Sequence, residues 1–281
     1  MWALLWAPIT IGVHCALEIL AFAVRRPDWA VRIECSLHRS LFGGLRMRLQ
    51  VEGREHLPAG RSFVAMANHQ SYLDIPALTL SLRPSVVLFV AKRELGRIPL
   101  LGWAVLASHH IKVDRGNREQ AVAALREAIR KVHSGVALGV FAEGTRSPDG
   151  KLLPFKKGGF YVAVDSGLPI LPVSISGTSR LFGKRSRFPR PGTIHVRIHP
   201  MVVPGPGGRA GIPALLTAVR AAILSGVPEA REREPGSASL GADAGAGASA
   251  DASAGGGASA GTSADASAGT SADAGGNERR Q

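Results

Sequence analysis

Six short runs of β-branched and other apolar residues, separated by stretches long enough to hold helices, constrain the fold of this chain most. The runs lie at 46–52, 62–67, 86–91, 136–141, 170–176 and 193–199. The clearest helical pattern lies at 117–133, where small and apolar side chains share one face and Asn117 is a suitable N-cap. Strands that alternate with helices predict an α/β domain with a mostly parallel central sheet flanked by helices.

Polar segments follow several of these runs, and in parallel sheets ligands bind at the carboxyl ends of the strands. "NHQSYLD" (68–74) follows the second run, "AKRELG" overlaps the end of the third, and "AEGTRS" follows the fourth. "VDRGNR" (113–118) leads into the helical stretch. We therefore expect these segments to meet in one site.

His69 and Asp74 in "NHQSYLD" are the first candidates for catalysis. On an ideal helix a separation of five residues leaves two side chains roughly 140° apart, so a pair requires His69 to precede the helix and Asp74 to reach back. Such an aspartate would orient the imidazole, which could then accept a proton from a substrate hydroxyl. The alternative is a histidine near a helix start and a solvated aspartate, and the motif alone does not decide.

Two loops are suited to anions. In "AEGTRS", Gly144 allows a sharp turn, Thr145 offers a hydroxyl, and Arg146 can present a planar fork to a phosphate. Arg115 precedes the helix N-terminus predicted at Asn117, which also favours anions. A plain β-turn and a surface ion pair are the alternative interpretations. The chain lacks the GxxxxGK[ST] and GxGxxG patterns of nucleotide cradles, and no histidine has HExxH or CxxC context, so we expect no metal.

The ends of the chain differ in composition from its centre. Residues 1–42 combine an apolar stretch, 1–24, with a segment in which arginines alternate with apolar residues, and they predict membrane-associating helices. Amphipathic helices packed on the domain are the alternative. Residues 43–228 form the predicted catalytic domain. Residues 229–281 are rich in Ala, Gly and Ser, include the repeat AGTSADAS–AGTSADAG at 260–275, and are expected to be disordered.

The charge is concentrated outside that tail. The whole chain carries +13, and because the last 46 residues carry −3, the first 235 carry +16. Such a body suits an anionic partner such as a membrane surface or a phosphorylated substrate. Nucleic acid fits the charge, but aromatic residues are only 5% of the chain and no basic–aromatic pattern is visible, so we expect no nucleic-acid partner.

Four blocks in order resemble those of the 1-acylglycerol-3-phosphate O-acyltransferases, within the glycerolipid acyltransferase superfamily. "NHQSYLD" resembles the NHxxxxD block, with Asn68 before the histidine, and "IKVDRGN" resembles the second block, with Arg115. "FAEGTRS" resembles the third block, with Ala142 in place of the usual proline, and "ILPVSISGT" resembles the fourth, with Pro172. "FVAKRELGRIPLLGWAV" (89–105), with Lys92, is similar to a further stretch of the family.

The resemblance covers about residues 46–205 and implies a mechanism. His69, oriented by Asp74, would deprotonate the sn-2 hydroxyl of 1-acylglycerol 3-phosphate, which attacks an acyl thioester to form phosphatidic acid. Lys92, Arg115 and Arg146 would bind the acceptor's phosphate, and Glu143 would brace the loop of Gly144 and Thr145 or bind acceptor hydroxyls. Acyl-CoA or acyl carrier protein would be a co-substrate, with no cofactor. The enzyme would work at the cytoplasmic face of the membrane. The alternatives are the same acyl transfer to glycerol 3-phosphate, a lysophospholipid or an aminolipid, and a non-catalytic protein that binds anionic lipid.

Overall fold

The strands of the sheet form where the sequence places its β-rich runs. The computed structural model describes residues 2–92, 111–113 and 136–228. Its strands are β1 (Met47–Glu52), β2 (Phe63–Ala67), β3 (Val86–Lys92), β4 (Ile111–Val113), β5 (Val136–Phe141), β6 (Ile170–Ser176) and β7 (Gly192–Ile198). Each of the six predicted runs coincides with a strand, and the bounds differ by at most one residue at each end. The predicted helix 117–133, Arg115 and the tail from residue 229 lie outside the described residues.

The helices described lie before, between and after these strands. They are α1 (Trp2–Ala23), α2 (Pro27–Gly44), α3 (Asp74–Ser81), α4 (Gly158–Ser166), α5 (Thr178–Phe182) and α6 (Ile212–Ser225). The described residues also include two short 3₁₀ turns, Arg54–His56 and Gly208–Gly211. The predicted α/β class is therefore confirmed.

The sheet has the order β1-β7-β6-β2-β5-β3-β4. The pair β6–β7 is antiparallel, and every other pair is parallel, as a mostly parallel sheet predicts. Strand β2 lies at the centre between β6 and β5, and all five of its residues are buried. Because parallel neighbours end at the same edge, the segments that follow β2, β5 and β6 are brought side by side.

Successive side chains of β2 pack into two different cores because strand residues point alternately to opposite faces. Phe63, Ala65 and Ala67 face one apolar cluster, which includes Leu78 of α3. Val64 and Met66 face the other, which includes residues of α4 and α6. The sheet is thus covered on both faces, as expected of parallel sheets.

Helices α1 and α2 pack against each other, and α2 also contacts α3 and β1. The indole Nε1 of Trp6 donates to the carbonyl oxygen of Ser40 (3.2 Å), and a Cβ at Gly44 would overlap the Trp6 ring. Ile33, Leu37 and Leu41 recur every four residues along α2 and are half-buried. A neighbouring row of α2, which contains Ala30 and Phe42, is buried more deeply.

Candidate active site

The segment between β2 and α3 carries His69 and lies at the middle of the sheet's carboxyl edge. The exit segments of β5 and β6 flank it because β5 and β6 are the two neighbours of β2. Asn68 joins the segment to β6, since its side chain accepts from the Ile175 N–H (2.8 Å) and donates to the Ile175 carbonyl oxygen (2.7 Å). The residue before His69 is therefore buried and fixed to β6.

Asp74 begins helix α3, and its carboxylate is fully buried. Oδ2 accepts from the backbone N–H groups of Gln70 (2.6 Å) and Ser71 (2.8 Å). The hydroxyl of Thr178, the first residue of α5, donates to Oδ1 (2.6 Å). A buried carboxylate needs such donors because burial without them is costly.

His69 completes the set of donors to Asp74. Its Nδ1 lies 2.8 Å from Asp74 Oδ2, with His69 before the helix and Asp74 reaching back from its first turn, as the spacing requires. With the carboxylate as acceptor, Nδ1 carries the proton and Nε2 presents its lone pair. The imidazole is stacked on Phe141 at 3.9 Å between ring centroids, and 14% of the side chain is exposed. An imidazole that is partly exposed and held in one orientation is suited to accept a proton from a bound hydroxyl at Nε2.

The carboxylate of Glu143 fixes the backbone at His69 by accepting a hydrogen bond. Oε1 accepts from the N–H of His69 (2.8 Å) and Oε2 accepts from the N–H of Leu153 (2.9 Å). Burial raises the pKa of Glu143 to about 7, an effect that the two backbone donors oppose and the charge of Asp74 reinforces. The Ser147 N–H also donates to the His69 carbonyl oxygen (2.8 Å). The loop after β5 therefore binds both the backbone N–H and the carbonyl group of His69.

The turn after β5 contains the other residues predicted for the acceptor loop. Gly144 adopts a φ of +68°, where a Cβ would come within 2.8 Å of the Lys156 side chain. Thr145 is exposed beside it. The Arg146 guanidinium lies 3.6 Å from the centroid of the Tyr72 ring, over its face. The turn therefore carries a cation on the exposed side of the segment that holds His69.

Three predicted residues remain: Pro172, Lys92 and Arg115. Pro172 is buried inside β6 opposite Met66, and its carbonyl oxygen accepts from the His199 N–H (3.0 Å), so it belongs to the scaffold. Lys92 ends β3 at the same edge as the site, and its side chain is not described. Arg115 lies outside the described residues. Within the described ranges no cluster of three or more His, Cys, Asp or Glu side chains could hold a metal ion.

Three contributors to this site were not predicted from the sequence: Thr178, Phe141 and Tyr72. Thr178 is 104 residues from the aspartate it contacts. Phe141 and Tyr72 lie in recognised blocks, but nothing in their spacing indicates that one stacks on His69 and the other on Arg146. Thr178 is the last residue of the fourth block, "ILPVSISGT", and its place in that block is the sequence feature that could have indicated a role in the site.

The fold and site define an α/β protein with a histidine–aspartate pair suited to general-base chemistry, and the comparisons with known proteins narrow this class. The profile of the Acyltransferase family matches residues 48–176. The solved structure of the 1-acyl-sn-glycerophosphate (LPA) acyltransferase PlsC from Thermotoga maritima superimposes with a TM-score of 0.69 at 31% identity. The match covers 83% of this chain and 95% of that one.

Two curated relatives have related names. The 1-acyl-sn-glycerol-3-phosphate acyltransferase of Limnanthes alba is 36% identical over 59% of this chain and 60% of its own length. The 1-acyl-sn-glycerol-3-phosphate acyltransferase alpha of Mus musculus is 33% identical over 67% of this chain and 66% of its own. The chain thus spans about three fifths of the length of the first of them. With the structural match, these similarities show that the chain belongs to the 1-acyl-sn-glycerol-3-phosphate acyltransferase family.

Proposed function

We propose that this protein transfers an acyl chain from a thioester to the sn-2 hydroxyl of 1-acylglycerol 3-phosphate, which makes phosphatidic acid. The observation that carries the proposal is the hydrogen bond of 2.8 Å between His69 Nδ1 and the buried Asp74, which leaves Nε2 as the proton acceptor. The names of the relatives support this acceptor. The donor is acyl-CoA or acyl carrier protein, and no cofactor takes part.

The reaction proceeds without an acyl-enzyme. His69 Nε2 accepts the proton of the acceptor hydroxyl as its oxygen attacks the thioester carbonyl carbon. The tetrahedral oxyanion then collapses, the carbon–sulfur bond breaks, and the thiolate takes up the proton from the imidazolium. Asp74 stabilises the imidazolium while it exists, because its carboxylate accepts the Nδ1 proton's hydrogen bond throughout.

We assign the positioning of the acceptor to three cations. Arg146 binds the phosphate, since the Tyr72 ring holds its guanidinium beside the His69 segment. Lys92 and Arg115 assist it, and Thr145 beside Gly144 completes the acceptor loop. A phosphate fixed in this way places the neighbouring hydroxyl near His69 and lowers the entropic part of the barrier.

The helices at the N-terminus place the enzyme at its substrate. Within α1, Leu5–Ala23 is long and apolar enough to cross a membrane. Large apolar side chains spaced three or four residues apart remain exposed along α1: Leu5, Ile9, Val13, Leu17 and Leu20. We propose that this apolar row of α1 enters the cytoplasmic leaflet, with the arginines of α2 at the level of anionic headgroups.

The test is acyl transfer by the full chain in lipid nanodiscs. Acyl-CoA and acyl carrier protein are offered in turn with 1-acylglycerol 3-phosphate, glycerol 3-phosphate or a zwitterionic lysolipid. We expect phosphatidic acid from the first acceptor, and a loss of at least about a hundredfold in kcat for His69→Ala. His195→Ala, at an exposed histidine of β7, is the matched control.

Two results would contradict the proposal. Equal product from the wild type and from a folded His69→Ala variant, checked by circular dichroism, would remove His69 as the base. Transfer only to a different acceptor would keep the chemistry and reject 1-acylglycerol 3-phosphate as the substrate.

A further inference from the structure

A cleft of about 560 Å³ lies between the exit loops of β5 and β6. One wall is the turn 147–150, and the other consists of α5 residues and the loop 183–190. The two walls meet closely, because a Cβ added at Gly150 would come within 2.9 Å of the Ser179 hydroxyl oxygen. The concavity has the volume of a small-molecule site.

The cleft is strongly cationic. Five exposed cationic side chains line it: Arg180, Lys184, Arg185, Arg187 and Arg190. Asp149 is the one acid in the described lining, and it contacts Ser147 and Lys151. Since no described carboxylate forms an ion pair with these five cations, their positive charge is available to a ligand with several negative charges.

Three contacts join the cleft to the segment that holds His69. The Gln70 side chain donates to the Gly150 carbonyl oxygen (2.7 Å), and the Ser147 N–H donates to the His69 carbonyl oxygen (2.8 Å). On the opposite wall, the hydroxyl of Ser71 donates to the Phe182 carbonyl oxygen (2.5 Å). Both walls of the cleft are therefore hydrogen-bonded to the proposed catalytic segment.

We propose that this cleft binds the phosphates of coenzyme A in the acyl-CoA donor, an inference that rests on the proposed acyl transfer. Coenzyme A carries a diphosphate and a 3′-phosphate, a set of anions that matches several arginines in one concavity. Phe188 lines the same cleft with 57% of its surface exposed, and it offers an aromatic face to the adenine.

A carrier protein is the weaker candidate for this cleft. Protein partners need about 800 Å² of surface on each side, whereas these cations surround a pocket of small-molecule size. The acceptor's phosphate has a separate cation, because Arg146 stacks on Tyr72 and does not belong to the described lining. The donor is therefore acyl-CoA, with its nucleotide in the cleft and its thioester towards His69.

The test compares Arg185→Gln/Arg187→Gln with the control Arg48→Gln/Arg61→Gln, which loses the same charge at exposed positions outside the cleft. Each full-length variant is assayed in nanodiscs with acyl-CoA, acyl carrier protein and acyl-pantetheine, a thioester without the nucleotide. We expect the KM for acyl-CoA to rise at least about tenfold in the cleft variant alone. The difference should vanish with acyl-pantetheine, and the KM for 1-acylglycerol 3-phosphate should stay constant.

Binding separates this inference from the proposed function. Calorimetry with coenzyme A itself, on protein carrying His69→Ala, measures the cleft without turnover. A Kd at least about tenfold weaker in the cleft variant supports the inference even if no acceptor is acylated. Equal Kd values in cleft and control variants would overturn it, as would a rise in the acceptor's KM or a loss confined to the acyl carrier protein donor.

Discussion

Asp74 has two roles that a substitution of Asp74 itself cannot separate. Its carboxylate orients His69 through Nδ1 and also ties down the backbone of Gln70 and Ser71. Loss of the carboxylate would disturb the fold of the segment together with the chemistry. Thr178 contacts the same carboxylate through Oδ1 alone, and so it offers a cleaner test of orientation.

We predict that Thr178→Val lowers kcat by about tenfold and leaves both KM values unchanged. The substitution leaves Oδ1 of a buried carboxylate without its hydroxyl donor, which costs about 1–3 kcal/mol and frees the carboxylate to turn away from His69. Steady-state kinetics of the wild type, Thr178→Val and Thr178→Ser are the measurement. The serine should restore most of the rate, and Thr217→Val on α6 serves as the control. A valine variant with the kcat of the serine variant would show that Thr178 is only a packing residue.

Tyr72 has a role that depends on Arg146. The ring lies under the guanidinium at 3.6 Å, although 59% of Tyr72 is exposed. We predict that Tyr72→Leu raises the KM for 1-acylglycerol 3-phosphate two- to fivefold, because an exposed cation–π contact contributes about 0.5–1 kcal/mol. Tyr72→Phe keeps the ring and should keep the KM. If the leucine and phenylalanine variants have the same acceptor KM, the stacking does not position Arg146.

For single residues, the sequence predicts contacts between side chains that are close along the chain. His69 and Asp74 are five residues apart, so their pairing follows from one requirement, that His69 precedes the helix and Asp74 lies in its first turn. The contact of Glu143 with the His69 N–H spans 74 residues and exists because β2 and β5 are neighbours. The sequence of either segment alone does not indicate that β2 and β5 are neighbours in the sheet.

The elements themselves follow from the alternation of strands and helices, but their arrangement does not. The run at 193–199 predicts a strand, and its side chains alternate equally well in a parallel or an antiparallel pair. The structure places β7 antiparallel to β6 and parallel to β1, which depends on how the connection through α5 folds back. Similarly, the spacing in α2 identifies an apolar face, and the packing of α1 decides how much of it is buried.

Two buried hydrogen bonds join β6, α6 and the residue that follows β7. His199, just after β7, contacts the Ser174 hydroxyl of β6 (2.6 Å), and that hydroxyl donates to the Ile223 carbonyl oxygen of α6 (2.7 Å). Burial lowers the pKa of His199 to about 4, with Arg197 and His56 acting in the same direction. The imidazole is therefore neutral in the fold at neutral pH.

We predict an acid-sensitive contribution of His199 to stability. An unfolded histidine binds its proton near pH 6.5 and the folded one near 4, so the unfolded state gains protons first as the pH falls. The contribution is complete above about pH 6.5 and is lost towards pH 4, by up to about 3 kcal/mol. Urea unfolding of the wild type and His199→Gln from pH 7.5 to 4 measures it as the difference between the two.

That difference also removes the opposing effect of Glu143. The raised pKa of Glu143 makes its contribution fall as the pH rises from about 4.5 to 7, in both proteins alike. Parallel stability curves for the wild type and His199→Gln would show that His199 does not couple folding to protons.

At the scale of the whole molecule, two properties direct the protein to a membrane. The first 235 residues carry +16, which attracts an anionic surface over a distance limited by salt. The exposed apolar row of α1 adds a hydrophobic contribution to the free energy of membrane binding. Salt does not weaken this contribution, because it depends on the apolar area that is buried. Charge alone would give binding that vanishes at high salt, whereas both together give binding that persists.

We predict that Ile9→Glu/Val13→Glu lowers partitioning onto vesicles of phosphatidylglycerol and phosphatidylcholine at least about tenfold. These side chains are 62% and 52% exposed, and a carboxylate at each would have to leave water as α1 enters the lipid. Co-sedimentation at 0.1 and 0.5 M salt is the measurement. Ala214→Glu/Ala218→Glu adds the same charge to the exposed side of α6 and should have an effect of less than about threefold. Equal losses in the two variants would mean that net charge accounts for the binding and that the apolar row of α1 stays out of the lipid.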